Sequence, residues 1–421
     1  MGARLPLTPQ GHGEVRYVGA TLIDGTGAAP IRDSEVEVHD DRITYAGPRR
    51  DAASDVRTVD LSGSILMPGF VDAHVHLAMV PGSSEEQRAW FPEEAAFAVA
   101  EQLRATVDAG VTTARDLDGL TPGYRNAIER GSIIGPRLHL AIAMLSPTGG
   151  HADPVMPNGS LPAWAVRLGM PTPGVVDTAE DVIRTVRALL RTGADAIKVC
   201  TSGGVGSPTD EPEDAGLPEE HVRLITEILG GRGDKPVTSH ALTDAGVRTA
   251  VLGGVASIEH GYDLSDETIA LMVERGTVLV PTLSTLMRTL PPSAPPSRVE
   301  ERAILQRRGL DSVRRAIAAG VRVALGTDAG VHPHGRNLRE LAWLVEAGLS
   351  PLEAIRAGTL EGARLLGLDE NLGSIEPGKL ADLVVSSCDP LTEIERMVEP
   401  GSIRMVVQSG RMLVDLDRRA D

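Results

Sequence analysis

Cysteine is almost missing from this chain of 421 residues. Cys200 and Cys388 are too few and too far apart in sequence for a disulfide framework, so buried free thiols are expected. Lysine is also scarce. Only Lys198, Lys235 and Lys379 occur among 41 basic residues, so arginine fills nearly every basic role and a surviving lysine calls for a chemical reason. Aromatic residues make up 2% of the chain, which leaves few side chains, among them Trp90, Trp164 and Tyr262, to stack on a flat ligand. No apolar run reaches the ~20 residues of a membrane helix, and no membrane partner is expected. The first residues lack the apolar segment and small-residue cleavage site of an export signal, which makes the cytoplasm the expected location. Positive charge is in deficit as well: 41 basic against 58 acidic residues give a net charge of -17, which disfavours nucleic acid as a partner.

What is present divides the chain by texture. From about Val15 to Val59 short alternating segments, such as Val15–Ile23 and Ser34–Val38, are separated by Gly- and Asp-rich turns. The same texture returns in Ala381–Ser386, Ile403–Gln408 and Met412–Asp415. The reading is a small antiparallel β-sandwich domain built from both termini, residues 1–68 plus 368–421. Between them, over residues 69–367, apolar strands alternate with one-sided helices such as 93–109, 179–192 and 299–319, the pattern of βα units around a parallel sheet. Eight strand candidates, 69–77, 111–117, 137–145, 196–201, 236–242, 257–261, 278–283 and 321–327, predict an α/β fold, a (β/α)8 TIM barrel. The Pro-rich segment 290–297 is expected to be a loop after the seventh strand.

In a parallel barrel the reactive side chains stand at the C-terminal strand ends, and the polar residues that interrupt apolar strands there form one set. His74 and His76 end the first strand. Lys198 lies in the fourth, His240 in the fifth, His260 ends the sixth and Asp328 follows the eighth. Residues two apart on an extended segment face the same side, so the two first-strand imidazoles can share one cation. Such a pair alone also occurs as a structural feature; two further histidines and an aspartate at later strand ends make coincidence a poor account. Lys198, between Ile197 and Val199, loses solvation when charged, which favours the neutral amine. That amine can condense with carbon dioxide to give an anionic carbamate, a ligand arginine cannot supply. The rival reading has its ammonium reaching water or a carboxylate.

The motifs Pro68-Gly-Phe-Val-Asp-Ala-His-Val-His76, Gly110-Val-Thr-Thr113 with Arg115-Asp116, Thr148-Gly-Gly-His-Ala-Asp153, Ile197-Lys-Val199 with Ser202-Gly-Gly-Val205, Ser257-Ile-Glu-His-Gly261, Gly326-Thr-Asp-Ala329 and Leu372-Gly-Ser-Ile-Glu-Pro-Gly-Lys-Leu-Ala-Asp382 together resemble the amidohydrolase superfamily. The resemblance spans nearly the whole chain and is nearest to the Xaa-Pro dipeptidase-like and imidazolonepropionase-like group. It implies a binuclear centre with two divalent ions, most often Zn2+. His74, His76 and Asp328 would hold one ion and His240 and His260 the other, with carboxylated Lys198 and a hydroxide bridging them. It implies hydrolysis of a C–N amide bond in a dipeptide, N-acyl amino acid or related small molecule, with Asp328 as general base and then general acid. It further implies a substrate contact from His151, with a structural loop histidine as the rival reading, and self-association into a homo-oligomer. The glycines at Gly203 and Gly204 would let backbone N–H groups approach a ligand, although turn formation alone also explains them. His332, a candidate substrate contact, follows Asp328 closely with His334 and Arg336, where lining the entrance and ordinary surface positions suit them equally.

Two positions depart from pattern. Related dipeptidases often carry an aromatic residue two places after the fifth-strand histidine, where this chain has Leu242, so carboxylate recognition through a tyrosine hydroxyl is not expected. Deaminases of the superfamily usually carry a glutamate three places after it, where this chain has Thr243. That absence, together with Lys198, favours two-metal amide hydrolysis over the alternative of a mononuclear heterocycle deaminase or cyclic-amide hydrolase; a noncatalytic scaffold relative is another alternative. Such scaffolds typically lose metal ligands, and none is missing here.

Overall fold

The computed structural model describes residues 13–50, 56–80, 86–87, 89–161, 174–205, 210–233, 235–290, 292 and 295–416. Trp164 and part of the glycine-rich loop, residues 206–209, lie outside them.

Six short strands open the chain: β1 Glu14–Val18, β2 Thr21–Leu22, β3 Ser34–His39, β4 Arg42–Pro48, β5 Arg57–Asp60 and β6 Ile65–Pro68. Eight parallel strands follow: β7 Phe70–Val75, β8 Val111–Asp116, β9 Arg137–Leu140, β10 Met144–Leu145, β11 Ile197–Cys200, β12 Val237–Ala241, β13 Ser257–His260 and β14 Val278–Val280. Three close the chain: β15 Leu383–Ser386, β16 Ile403–Gln408 and β17 Arg411–Asp415.

The terminal strands form two sheets, ordered β4-β3-β1-β5 and β17-β16-β15-β6-β2. Residues spaced by two, such as Val36 and Val38, Leu383 and Val385, and Met405 and Val407, enter one apolar cluster shared by both sheets, because successive strand side chains point to opposite faces. The expected purely antiparallel pairing is corrected: β1 runs parallel to β5 and β2 parallel to β6. Within this layer Glu35 is fully buried, yet Arg16 and Arg50 each donate to it at 2.7 Å.

Strands β7 to β9 pair in one parallel sheet and β10 to β14 in another. Every residue of β7, β8, β11, β12, β13 and β14 is buried, as expected where helices cover a parallel sheet. Those helices include α1 Pro92–Asp108, α2 Pro122–Glu129, α3 Ala179–Thr192, α4 Glu219–Gly230, α5 Asp244–Gly253, α6 Asp266–Arg275, α7 Leu283–Leu286 and α8 Pro296–Ala318. Local sequence explains their ends. Thr178 and Asp181 form a reciprocal capping box at the start of α3, and Gly193 closes it at φ 108°, a conformation that costs glycine nothing sterically.

Three expectations change. The third strand is two, because Ile142 turns to φ 74° where its carbonyl accepts from Gly119 N at 2.9 Å. The eighth forms only isolated bridges, Val323 to Leu279 and Ala329 to Val75, with Leu325 O accepting from Ala73 N at 2.9 Å. The Pro-rich stretch already turns helical at Pro296, since a first-turn proline gives up an N–H that would have no partner there. No helix among the described residues is long and apolar enough to cross a membrane.

Candidate metal centre

The parallel strands bring His74, His76, Lys198, His240, His260 and Asp328 to one cavity of about 970 Å3. All six are buried. His74 Nε2 lies 3.3 Å from His76 Nε2 and 3.5 Å from Asp328 Oδ1, and His76 Nε2 lies 3.3 Å from the same oxygen. The His260 ring stands 5.2 Å from that of His74 and 4.6 Å from that of His240. Donor atoms of His74, His260 and Asp328 lie within 4.8 Å of one another.

Backbone strain accompanies this convergence. His260 at φ 81°, Thr282 at φ 48° and Asp328 at φ 58° take left-handed conformations at or just beyond successive strand ends, each costing about 1 kcal/mol or more for a non-glycine residue. The strain is held by specific partners. Thr282 Oγ1 bonds His260 Nδ1 at 2.7 Å and the Tyr262 hydroxyl at 2.7 Å. Asp328 N donates to His74 O at 2.8 Å.

Electrostatics set the protonation states. Burial drives His74, His240 and His260 below the ordinary histidine range, His260 to about 3, which leaves neutral imidazoles, the form that ligates metal. Burial also opposes charge on Asp328, but the hydrogen bond from His76, with the surrounding histidines, outweighs it and holds the carboxyl well below its usual range. Burial lowers the Lys198 amine, partly offset by Glu259. Lys198 Nζ and His76 Nδ1 are buried polar atoms with no hydrogen-bond partner, an expensive condition for a chain on its own. His76 shifts the other way from the remaining histidines: against burial, its bond to Asp328 raises its pKa. The neutral imidazoles of His74, His240 and His260, an ionised carboxylate and an orphaned lysine amine form a donor set that fits divalent cations.

Three residues that support the centre were not assigned from the sequence. Glu259 bonds His74 Nδ1 at 2.7 Å and receives Arg115 Nη2 at 2.8 Å, fixing the tautomer and orientation of His74 as an outer carboxylate does in metal sites. Asp72 accepts from Thr327 N at 3.1 Å, Thr327 Oγ1 at 2.7 Å and Asn337 Nδ2 at 2.8 Å, fixing the loop that carries Asp328. Asp118 lines the cavity wall. Each carboxylate sits in or beside a strand whose every residue is buried.

The expected substrate contacts fare unevenly. His151 lines the cavity, stacks on His240 at 4.1 Å between ring centroids and bonds Asp210 at 3.2 Å. Gly203 and Gly204 are not among the residues lining it. Their missing side chains serve packing: a Cβ on Gly204 would lie 2.0 Å from the His151 ring, and one on Gly203 1.9 Å from Glu211 O. Gly203 O instead accepts from His240 Nε2 at 3.1 Å. His332 is corrected from entrance to buttress, its Nε2 donating to Thr327 O at 3.0 Å, and His334 is buried against Thr106 and His76 O. Leu242, Thr243 and Tyr262 line the cavity, whereas Trp90 does not. Both cysteines are buried and free.

A sequence profile of the amidohydrolase family matches residues 65–413. The chain is 32% identical to an ochratoxinase of Aspergillus niger, over 94% of this chain and 85% of that protein. It is 27% identical to an imidazolonepropionase of Symbiobacterium thermophilum, over 92% of each. Among solved structures it resembles a prolidase bound to N-methylphosphonate-L-proline, with a TM-score of 0.87 and 30% identity over 96% of this chain and all of that one.

Proposed function

The chain belongs to the amidohydrolase family, and from that premise we propose that it is a binuclear metal-dependent enzyme hydrolysing a C–N amide bond in a small molecule. The proposal includes a closed (β/α)8 barrel over residues 69–367 and a composite terminal β-sandwich over 1–68 plus 368–421. The single observation that carries it is the meeting of five metal-ligating side chains with the orphaned amine of Lys198 in one cavity.

His74, His76 and Asp328 would hold one cation and His240 and His260 the other, with Zn2+ the ion we expect. Lys198, whose amine burial shifts towards the neutral form, would add carbon dioxide at Nζ and release a proton, giving a carbamate, an anionic oxygen ligand for the cations. Cations held there supply activation of water near neutral pH and polarisation of the scissile carbonyl. The chain's own part is proton handling and alignment. Asp328 stays ionised, so a carboxylate oxygen can take a proton and return it to the leaving nitrogen. Glu259 and Thr282 keep His74 and His260 from rotating, and His151, stacked on His240, faces the cavity where a substrate oxygen can accept from it.

Elemental analysis after growth with zinc should find about two divalent metals per chain; one or none would sink the binuclear reading. Lys198→Ala should lose metal, and short carboxylic acids should restore part of it. A mononuclear deaminase is the second reading, favoured by the compact set of His74, His260 and Asp328. Against it, Thr243 stands where such enzymes usually carry a glutamate and serves as the cap of α5. Release of amine from N-acyl amino acids, dipeptides or cyclic amides, set against release of ammonia from heterocycles, separates the two.

A further inference from the structure

The cavity wall contains a cation that has no carboxylate partner among the described residues. Arg302, on α8, and Arg288, just after α7, both line the cavity. Neither forms an ion pair among the described residues, although the acidic side chains of Glu301, Asp263 and Asp153 line the same cavity. Arg302 is half-buried, and its Nε is a buried donor with no partner. Burial lowers its pKa, with Tyr262 opposing and the neighbouring Arg288 charge adding to the effect. A half-buried guanidinium beside another, with a donor left unused, is a combination that an anion would relieve.

Both guanidinium groups are tied to the segment that carries the proposed catalytic aspartate. Arg302 Nη2 donates to Thr285 O, and Thr285 Oγ1 in turn donates to Thr327 O at 3.3 Å. Arg288 Nη1 donates to Val331 O at 2.8 Å, three residues beyond Asp328. Each tether uses one donor and fixes the planar group, so less freedom is lost when the remaining donors meet a ligand. Apolar side chains, including Met144, Leu242, Leu286 and Leu305, line the same cavity. Leu242 stands where related dipeptidases often place an aromatic residue, so an anion in this cavity needs another anchor.

We propose that Arg302, assisted by Arg288, is the carboxylate anchor of this cavity, and that the substrate is an amide bearing a free carboxylate beside a bulky apolar group. The inference rests on the amide-hydrolase reading for its reaction, while the anchor itself is a binding claim. Since the whole chain is strongly acidic, a local pair of unpaired arginines also selects where an anionic ligand settles.

The test uses the zinc-loaded full chain with two probes, N-acetyl-phenylalanine and its neutral carboxamide, measured by calorimetry and by acetate release. The wild type should bind the acid at least tenfold more tightly than the carboxamide. Arg302→Met should bring that ratio close to one, Arg302→Lys should retain part of it, and Arg288→Met should reduce it less. Circular dichroism establishes that each variant is folded, and the lysine variant reports on the charge should the methionine variant not fold. Equal binding of the two probes by the wild type overturns the anchor, as does an undiminished ratio in Arg302→Met or, if that variant does not fold, a ratio in Arg302→Lys that matches the wild type. A ratio that collapses on substitution while neither probe releases acetate supports the anchor and counts against the hydrolase reading for this class of amide.

Discussion

Two buried charges in this molecule are handled in opposite ways. In the terminal sheets Glu35 is fully buried between Arg16 and Arg50 and accepts from both; burial resists its ionisation, but these bonds hold its pKa at about 2. At the strand ends Lys198 is as deeply buried, and its amine has no partner. A charge that serves architecture is satisfied within the chain, because an unmet buried group costs several kcal/mol. A group left unmet where the structure could have supplied a partner points to something that arrives from outside. Arg115 and Glu259 stand between these cases: they pair with each other at 2.8 Å, and through Glu259 the pair also orients His74.

The contrast can be broken by substitution. The largest effect should come from Asp328→Asn, which keeps the shape of the side chain and removes its ability to take a proton. We expect turnover to fall by about 10³-fold or more with the fold retained, and full activity would remove Asp328 from its role. Next is Glu35→Gln, which leaves Arg16 and Arg50 with Glu37 as their remaining carboxylate and should destabilise the chain by roughly 1–3 kcal/mol in denaturant titration, without changing kcat. Because the folded-state pKa of Glu35 lies below the unfolded value of roughly 4.3, its contribution is complete above that pH. It is lost as pH falls toward about 2, a loss the variant should no longer show.

Smaller effects sharpen the middle case. Glu259→Gln should weaken metal affinity by roughly 10–100-fold in competition with a chelator, since the outer carboxylate orients His74; unchanged affinity would reduce Glu259 to a packing role. The smallest effect is the most diagnostic. In metal-free protein Lys198→Met should leave stability unchanged or raise it by about 1–2 kcal/mol, because it exchanges an unpartnered polar group for an apolar one. A large loss of stability would mean that Lys198 serves architecture after all, as Glu35 does.

The sequence exposed the histidines because an imidazole at the end of a buried parallel strand is hard to explain by packing alone. His74, His240 and His260 stood out for that reason, and they do meet. Glu259 and Asp72 lie in the same buried strands as His260 and His74 yet went unassigned, since their partners, His74 and Thr327, are 185 and 255 residues away in sequence. Pairings at that separation follow from the sheet order, which periodicity does not disclose. Ile142 escaped for a different reason. A β-branched residue in an apolar run reads as strand, and only the carbonyl contact with Gly119 and the bond from Met144 N to Asp118 at 3.0 Å reveal the break. The glycines of the 203–204 loop were legible as necessary, although the crowding by His151 that makes Gly204 necessary appears only in three dimensions.

Thr282 at φ 48° has a practical consequence for anyone seeking a sturdier version of this protein. Glycine there would relax the backbone, but it would loosen the unfolded chain and leave two buried polar groups short of a partner. The hydroxyl that steadies His260 and Tyr262 would go with it. Stability and function therefore favour the same residue at this position despite its strained backbone, and a screen for either should keep threonine.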